Sequence, residues 1–501
     1  MFRRTITLTL IIWVVFPFDL AAAEPATFIP SQRVQGVGKD RENSKAIGLD
    51  IRTDLIKHAS RFYILRQEKA RAAPARIFGP ELWPIIQRSA QAKGIDPMIM
   101  AAVIYIESFG DCNARSSSAA GCAQFTRQAA REEGLRVVTK RGQTGTRTIT
   151  RGRGKTERKV VVPVYGTVYV RDDRLDPTKA IPAMANRLSK RIESLGRVDF
   201  SIAEYHMGWG YLTTALSLYS GQSVDYKNVR KVVGELSYPQ VFFNNTPRYK
   251  AGLYNFLGRL ADYSPTYYFR IMAGLDLLKL YRQNPAKYEA EWKKYQPKFP
   301  NHEVTPNRMW SYYGPDDVAR LGIADLPALQ AAWKNGRIKT LPNASAKLGV
   351  NIRTTSKSPI AERDLKNRQW YMGSEPATLG CLLYIAYELR QLQGNAFVPL
   401  ETNSLVRHLK YQDALGGRNT NARTQLPTHA LGKAFDLPRT NLNRQQERDL
   451  TFILEDLESL GLLGWILEGA QRTIHVVPNP EYQGFFAGVY YDAVKFVDST
   501  R

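Results

Sequence analysis

Cysteine is the scarcest residue in this chain, with three in 501 positions. So few exclude a disulfide scaffold and the paired CxxC motifs of a structural zinc, and they allow at most one bridge. Histidine is almost as rare at six, so a histidine in a spaced motif stands out from background. Acidic residues are outnumbered, 46 Asp and Glu against 70 Lys and Arg, for a net charge of +24. No apolar run approaches the roughly 20 residues that a membrane-spanning helix needs. Neither an internal repeat nor a nucleic-acid-binding motif is found. What is present is an ordinary globular mix, 44% hydrophobic and 23% charged. It excludes disorder of the whole chain and gives room for about two to four domains.

The chain opens with Met1-Phe2-Arg3-Arg4, an apolar stretch from Ile6 to Leu20, and Ala21-Ala22-Ala23. A basic start, an apolar middle and a small-residue cleavage site make residues 1–23 a Sec signal peptide, cut before Glu24. Pro17 and Asp19 shorten the uninterrupted apolar run to about ten residues, too few to anchor the chain in a membrane. No cysteine stands at the cleavage point, which argues against a lipoprotein. The expectation is an exported, periplasmic protein without a transmembrane segment. Its positive charge then meets anionic envelope polymers and lipid head groups, and nucleic acid is not an expected partner.

Residues 24–75 read as a polar arm with a weak helical patch over 50–68. From 76 to 281 the pattern is mostly helical, interrupted by a basic insertion over 136–174 whose 159–170 part alternates like strands. The insertion carries Arg136, Lys140, Arg141, Arg147, Arg151 and Arg158 among other cations. It reads either as a solvated hairpin or as a contact surface for an anionic glycan or a partner. Residues 282–359 form a helical, loop-punctuated linker. A separate α+β domain is expected over 360–501, with helices over 377–392 and 444–460 and strands over 397–401, 463–468 and 473–477.

The first chemical constellation starts where Asp96 can cap a helix with Pro97 in its first turn. Ile99, Ala102, Val103 and Ile106 lie on one stripe, and Glu107 borders that apolar face, the setting in which a general acid keeps its proton. Downstream come Glu107-Ser108, then Gly121-Cys122-Ala123-Gln124, then Glu204-Tyr205-His206-Met207-Gly208. This order resembles the soluble lytic transglycosylases, which share a mainly α, goose-type lysozyme-like fold, and the resemblance covers roughly residues 80–280. It implies that Glu107 is the catalytic acid/base and that Tyr205 supports its carboxyl. It also implies that Gln124, with Ser108 and His206, lines the sugar cleft. The sequence departs from the family pattern at Cys122-Ala123, where Leu-Met is usual, at His206, where Asn is usual, and in the basic insertion.

Glycosidases generally use two carboxylates, and these motifs hold one; Asp111 follows Gly110 and reads as a turn residue. One carboxyl suffices if the attacking group is the substrate's own C6 hydroxyl. The resemblance implies this non-hydrolytic route on peptidoglycan, ending in a 1,6-anhydromuramoyl residue, with a hydrolytic goose-type lysozyme as the near alternative. Cys112 and Cys122 lie in the loop between Glu107 and Gln124 and are expected to form a disulfide in an oxidising compartment. Cys381 reads as a buried free thiol.

The second constellation is His429-Ala430-Leu431-Gly432-Lys433-Ala434-Phe435-Asp436, with His475 on a later strand. His, Asp and His supply the N, O and N ligands of a catalytic zinc with a position left for water. The pattern HxxGxAxD resembles the zinc peptidase superfamily of D-Ala-D-Ala carboxypeptidases and the hedgehog signalling domain. That resemblance implies metal ligation by His429, Asp436 and His475, and it points Arg407 of Ser404-Leu405-Val406-Arg407 at a substrate carboxylate. The family's Ser and Glu positions hold Pro427 and Arg472 here. A substitute base is Glu468. If 469–472 form a four-residue loop, Glu468 pairs with Thr473 and Ile466 with His475, which puts Glu468 on the His475 face about 7 Å away.

Together these readings describe an exported enzyme that cuts peptidoglycan strands, with zinc and a second, peptidase-like domain acting on peptide stems. Two other classes share the same features: a wall-cleaving enzyme whose second domain only binds peptidoglycan, and an assembly factor that opens the wall for an envelope complex. In the latter, the arm and residues 282–359 would contact partner proteins.

Overall fold

The computed structural model describes residues 27–34, 49–151, 157–260, 262–296, 304, 307–342, 345–352, 365–416, 427–468 and 473–500. The expected signal peptide lies outside them. The chain is mostly helical with small sheets, and its apolar residues gather into two large cores and smaller satellites.

At the centre of the first core is the helix Pro97–Ser108. It starts where the sequence predicts, with Asp96 Oδ1 accepting the Met98 N–H at 2.8 Å and Pro97 in the first turn. Met100 to Tyr105 are all fully buried, so the helix is enclosed on every side rather than along the single stripe of the sequence reading. Helices Trp83–Gln91, Pro177–Leu195 and Tyr267–Gln283 pack around this region. A second layer, built on Phe200, Leu212, Leu216, Tyr238 and Leu253, extends the same unit.

Two expectations about organisation need correction. The polar arm contains an integral helix, Leu49–Leu65, whose Ile64 and Leu65 are buried in the first core. Residues 27–34 meet the second core instead, where Phe28 packs against Phe496. A polar composition hid these few apolar anchors. Nor is 282–359 a linker. Helix Pro285–Lys294 brings Tyr288 and Trp292 into the first core, and the Tyr288 hydroxyl donates to Ala70 O at 2.6 Å. From Met309 onward the chain packs against the second core: Met309 and Tyr313 cover Leu431, Ile466 and Val477, and Ile323, Leu329 and Ile338 cover Val406.

The basic insertion is a long antiparallel ribbon of Val137–Arg151 paired with Arg158–Asp172. Its root is held by charge. The buried Arg174 guanidinium binds Asp172 at 2.7 Å, and Arg115 binds the same carboxylate at 2.9 Å. Asp173 meets Arg171 at 3.0 Å and Lys179 at 2.9 Å, and the Arg171 hydrogen bond leads in holding its carboxyl well below the usual range. The Arg174 carbonyl lies directly against Gly121, which has φ +84°.

The second core is built on helix Pro376–Gln393, in contact with Gln483–Ser499. Gly380 allows the close approach, since a Cβ there would run into Phe486 O. Beside them is an antiparallel sheet in the order Phe435–Pro438, Thr473–Pro478, Leu463–Glu468. Val350–Ile352 pairs in parallel with Leu400–Thr402. The two units meet where the Tyr254 hydroxyl donates to Asp449 at 3.0 Å and Arg448 donates to Tyr254 O at 2.6 Å.

Gly121 and Gly134 both have positive φ, but a Cβ on Gly134 meets nothing within 4 Å. Gly134→Ala is therefore expected to cost about 1 kcal/mol of backbone strain, and Gly121→Ala roughly 2 kcal/mol or more because it adds a clash with backbone. Thermal unfolding of the two variants side by side checks the difference; equal midpoints would contradict it.

Candidate functional site

Glu107 stands one residue before the end of the central helix, which terminates in Phe109 at φ +52°. Its side chain is about one-seventh exposed. The Tyr267 hydroxyl donates to Glu107 Oε1, and burial is the first cause that pushes the Tyr267 pKa well up, so it stays a donor. His206 stacks on Tyr267 with ring centroids 4.3 Å apart and on Tyr263 at 5.2 Å. Its Nδ1 lies 3.7 Å from Glu107 Oε1 and its Nε2 lies 4.0 Å from Asp262 Oδ2. The imidazole thus separates two carboxylates, close enough to feel both and too far for hydrogen bonds.

The other residues expected at this site do something different. Tyr205 donates its hydroxyl to Ala123 O at 2.6 Å, so the hydroxyl on the Glu107 carboxyl is that of Tyr267. Ser108 is buried with its hydroxyl at Cys122 O, 3.0 Å, and Ile104 O, 3.1 Å. Gln124 has φ +45°, and its Nε2 donates to Gly121 O at 2.7 Å and Ala114 O at 3.2 Å. Ser108 therefore ties the 121–124 turn to the helix that carries Glu107, Tyr205 ties it to the helix Val198–Met207, and Gln124 closes it on Gly121 and Ala114. Glu204, fully buried, pairs with Arg187 and Arg191, each at 3.0 Å, and so fixes the helix that presents His206. Asp111 accepts the Asn113 N–H at 2.9 Å, the turn role that the sequence suggests.

The expected Cys112–Cys122 bridge is not formed: Cys112, Cys122 and Cys381 are all free thiols. The turn does bring the first two together, and a hydrogen bond with Cys122 is the leading cause that lowers the Cys112 pKa. Cys381 is buried, and burial pushes its thiol up.

The second constellation also comes together. His429, Asp436 and His475 are buried, and their ligand atoms lie within 4.8 Å of one another. Asp436 Oδ1 is 3.1 Å from His429 Nε2 and 2.9 Å from His475 Nδ1. His429 Nδ1 meets Leu405 O at 2.7 Å, and a carbonyl can only accept, so Nδ1 carries the proton. Burial first, then Arg407, pushes the His429 pKa down to about 4. At neutral pH a bare Nε2 lone pair therefore faces a carboxylate oxygen, and a shared cation resolves such an arrangement of two acceptors. The donor set fits a divalent metal with imidazole and carboxylate ligands. Thr428 Oγ1 lies 3.2 Å from the other nitrogen of His475.

Strand register places Glu468 opposite Thr473 and Ile466 opposite His475, the pairing that a four-residue loop produces; residues 469–472 are outside the described set. Burial, followed by the charge of Asp436, pushes the Glu468 pKa up to about 7. Arg407 donates to Asp436 Oδ2 at 2.9 Å and also bonds Ser404 Oγ, because Asp436 is the anion beside it in a buried site.

Sequence reasoning missed Tyr267, Tyr263 and Asp262. Tyr267 lies 160 residues from its partner Glu107, and no local spacing marks it. The geometry separates two effects that the motifs merge. Tyr205→Phe is expected to cost about 1 kcal/mol by leaving Ala123 O without its donor, read as a lower thermal midpoint. An unchanged midpoint would contradict the role of Tyr205 in fastening the turn.

Comparison with known proteins gives one family. No curated protein matches the chain. Residues 84–148 match the family model described as the Transglycosylase SLT domain. The matched segment contains Glu107 and the 121–124 turn, and it supports a lytic transglycosylase that acts on peptidoglycan.

Proposed function

We propose that the chain is an exported lytic transglycosylase. It cleaves the bond between N-acetylmuramic acid and N-acetylglucosamine and leaves a 1,6-anhydro end. The observation that carries this reading is the Glu107 carboxyl at the end of an enclosed helix, held by the Tyr267 hydroxyl, inside the segment that matches the transglycosylase domain. Glu107 first gives its proton to the glycosidic oxygen as the bond from C1 breaks. As a carboxylate it then takes the proton of the same sugar's C6 hydroxyl, whose oxygen closes on C1. One carboxyl serves both steps, and Tyr267 holds its Oε1 so that the other oxygen is directed to the substrate. Asp262 stands behind the His206 ring, without direct contact to Glu107 in the described geometry.

The second unit we propose to be a zinc peptidase acting on peptide stems. His429 Nε2, Asp436 Oδ1 and His475 Nδ1 would hold the metal, which when bound polarises a carbonyl and makes water acidic at neutral pH. Leu405 O keeps the His429 tautomer, Arg407 holds the second oxygen of Asp436, and Glu468 would take a proton from that water. Export rests on the first 23 residues of the sequence, read as a signal peptide. Among the described residues no helix is long and apolar enough to cross a membrane.

Glu107→Gln keeps the shape of the side chain but cannot deliver the proton, so glycan cleavage of purified wall should fall at least about 10²-fold. Tyr267→Phe should lower turnover roughly tenfold with the fold retained, the value of one hydrogen bond to a carboxylate. Near-normal turnover in Glu107→Gln would reject the assignment. For the second unit, the full-length protein should carry about one equivalent of zinc, and chelation should lower its thermal midpoint. His429→Ala and His475→Ala should lose the metal, whereas Glu468→Gln should keep it and lose stem cleavage. A protein that takes up no zinc on reconstitution would leave a peptidoglycan-binding module as the better account.

A further inference from the structure

A cavity of about 710 Å³ lies between the two units. One wall comes from the first unit and includes Tyr254, Asp262, Tyr263 and Arg270; the other comes from helix Arg444–Ser459 and includes Arg444 and Arg448. It adjoins the Glu107 site directly, because Tyr263 stacks on His206 and Asp262 approaches the same ring. Two of its cations are incompletely paired. The Nη1 atoms of Arg270 and Arg448 are both buried and have no hydrogen-bond partner among the described residues. Arg270 is sandwiched between Tyr63 and Tyr263, each ring 4.0 Å away, and Arg448 lies over Tyr254 at 4.0 Å and against the backbone of Gly258. Burial pushes the guanidinium pKa of both down.

Buried guanidinium donors left over in a protein interior are costly, and two in one cavity point to an acceptor that comes from outside. A carboxylate is the planar acceptor that suits them. We propose that this cavity binds the free carboxylates of the peptide stem carried by a glycan strand whose scissile bond lies at Glu107. The proposal rests on the glycan-cleaving reading and adds to it a stem-recognition site shared by both units. Arg439 is engaged by Glu447, and Asp262 and Glu455 also line the cavity. The lining is therefore mixed, as suits a peptide with free carboxylates and an amino group. The site also gives the contact between the units a purpose: the helix that follows the Asp436 strand forms one wall of the cavity.

The test uses full-length protein and a synthetic acidic stem tetrapeptide with free side-chain and C-terminal carboxylates, titrated by calorimetry beside its fully amidated form. The wild type should bind the acid form, and the amidated form should bind about tenfold more weakly or less, the worth of one charge-assisted hydrogen bond. Arg448→Gln should weaken the acid form by a similar factor. Because Arg448 also braces Tyr254, Arg444→Gln at the exposed start of the helix gives the same reading without that contact. Equal affinity for both peptide forms, or wild-type affinity in both arginine variants, overturns the proposal. So does binding that is lost in His429→Ala and kept in the arginine variants, since that puts the peptide in the second site. If Glu107→Gln still cleaves glycan while the carboxylate dependence holds, the lytic reading fails and the cavity stands.

Discussion

A carboxyl at the end of a helix enclosed on all sides needs a polar partner, and the Tyr267 hydroxyl on Glu107 supplies it. Much of the first unit serves to keep that bond in place. The Tyr267 helix packs along the Glu107 helix, and its far end continues into Pro285–Lys294, where Tyr288 bonds both Tyr105 and the backbone of the 70s. The 121–124 turn closes the other side through Ser108, Tyr205 and Gln124. Gly121 then ties that turn to Arg174, so the ribbon's salt-bridged root and the Glu107 helix share one junction.

The second unit follows a similar logic with different chemistry. A histidine whose proton is committed to Leu405 O turns a bare nitrogen toward Asp436, and Arg407 takes the other oxygen of the same carboxylate. Burial makes each of these contacts strong and makes an unpaired charge expensive. The constellation has an electrostatic reason to bind a cation. Without one, it keeps two acceptors facing each other in a low-dielectric interior.

What could be read from the sequence was what lay close together in the chain or followed strand arithmetic. Asp96 and Pro97 announce the Glu107 helix, HxxGxAxD brings His429 and Asp436 to one site, and a four-residue loop gives the register that pairs Glu468 with Thr473 and Ile466 with His475. What could not be read depends on contacts between distant segments. Tyr267 is one tyrosine among 26, and only the packing of its helix brings it to Glu107. Asp262 and Tyr263 follow the same rule. The arm and the linker were misjudged because isolated anchors such as Phe28, Leu65, Met309 and Ile338 carry no periodic signal in a polar background. Ser108 and Gln124 sit where the motif places them, but hydrogen-bond partners, invisible in a sequence, make them fasteners of a turn.

The central claim is that one carboxyl carries out both proton transfers and that the substrate's own hydroxyl is the nucleophile. Mass spectrometry of the fragments that the purified protein releases from wall sacculi measures this directly. The account predicts 1,6-anhydro ends, each lighter by one water than the hydrolysed product, in wild-type digests and their loss in Glu107→Gln. Fragments ending in a free reducing sugar would contradict it and make the enzyme a hydrolase, with a second group activating water.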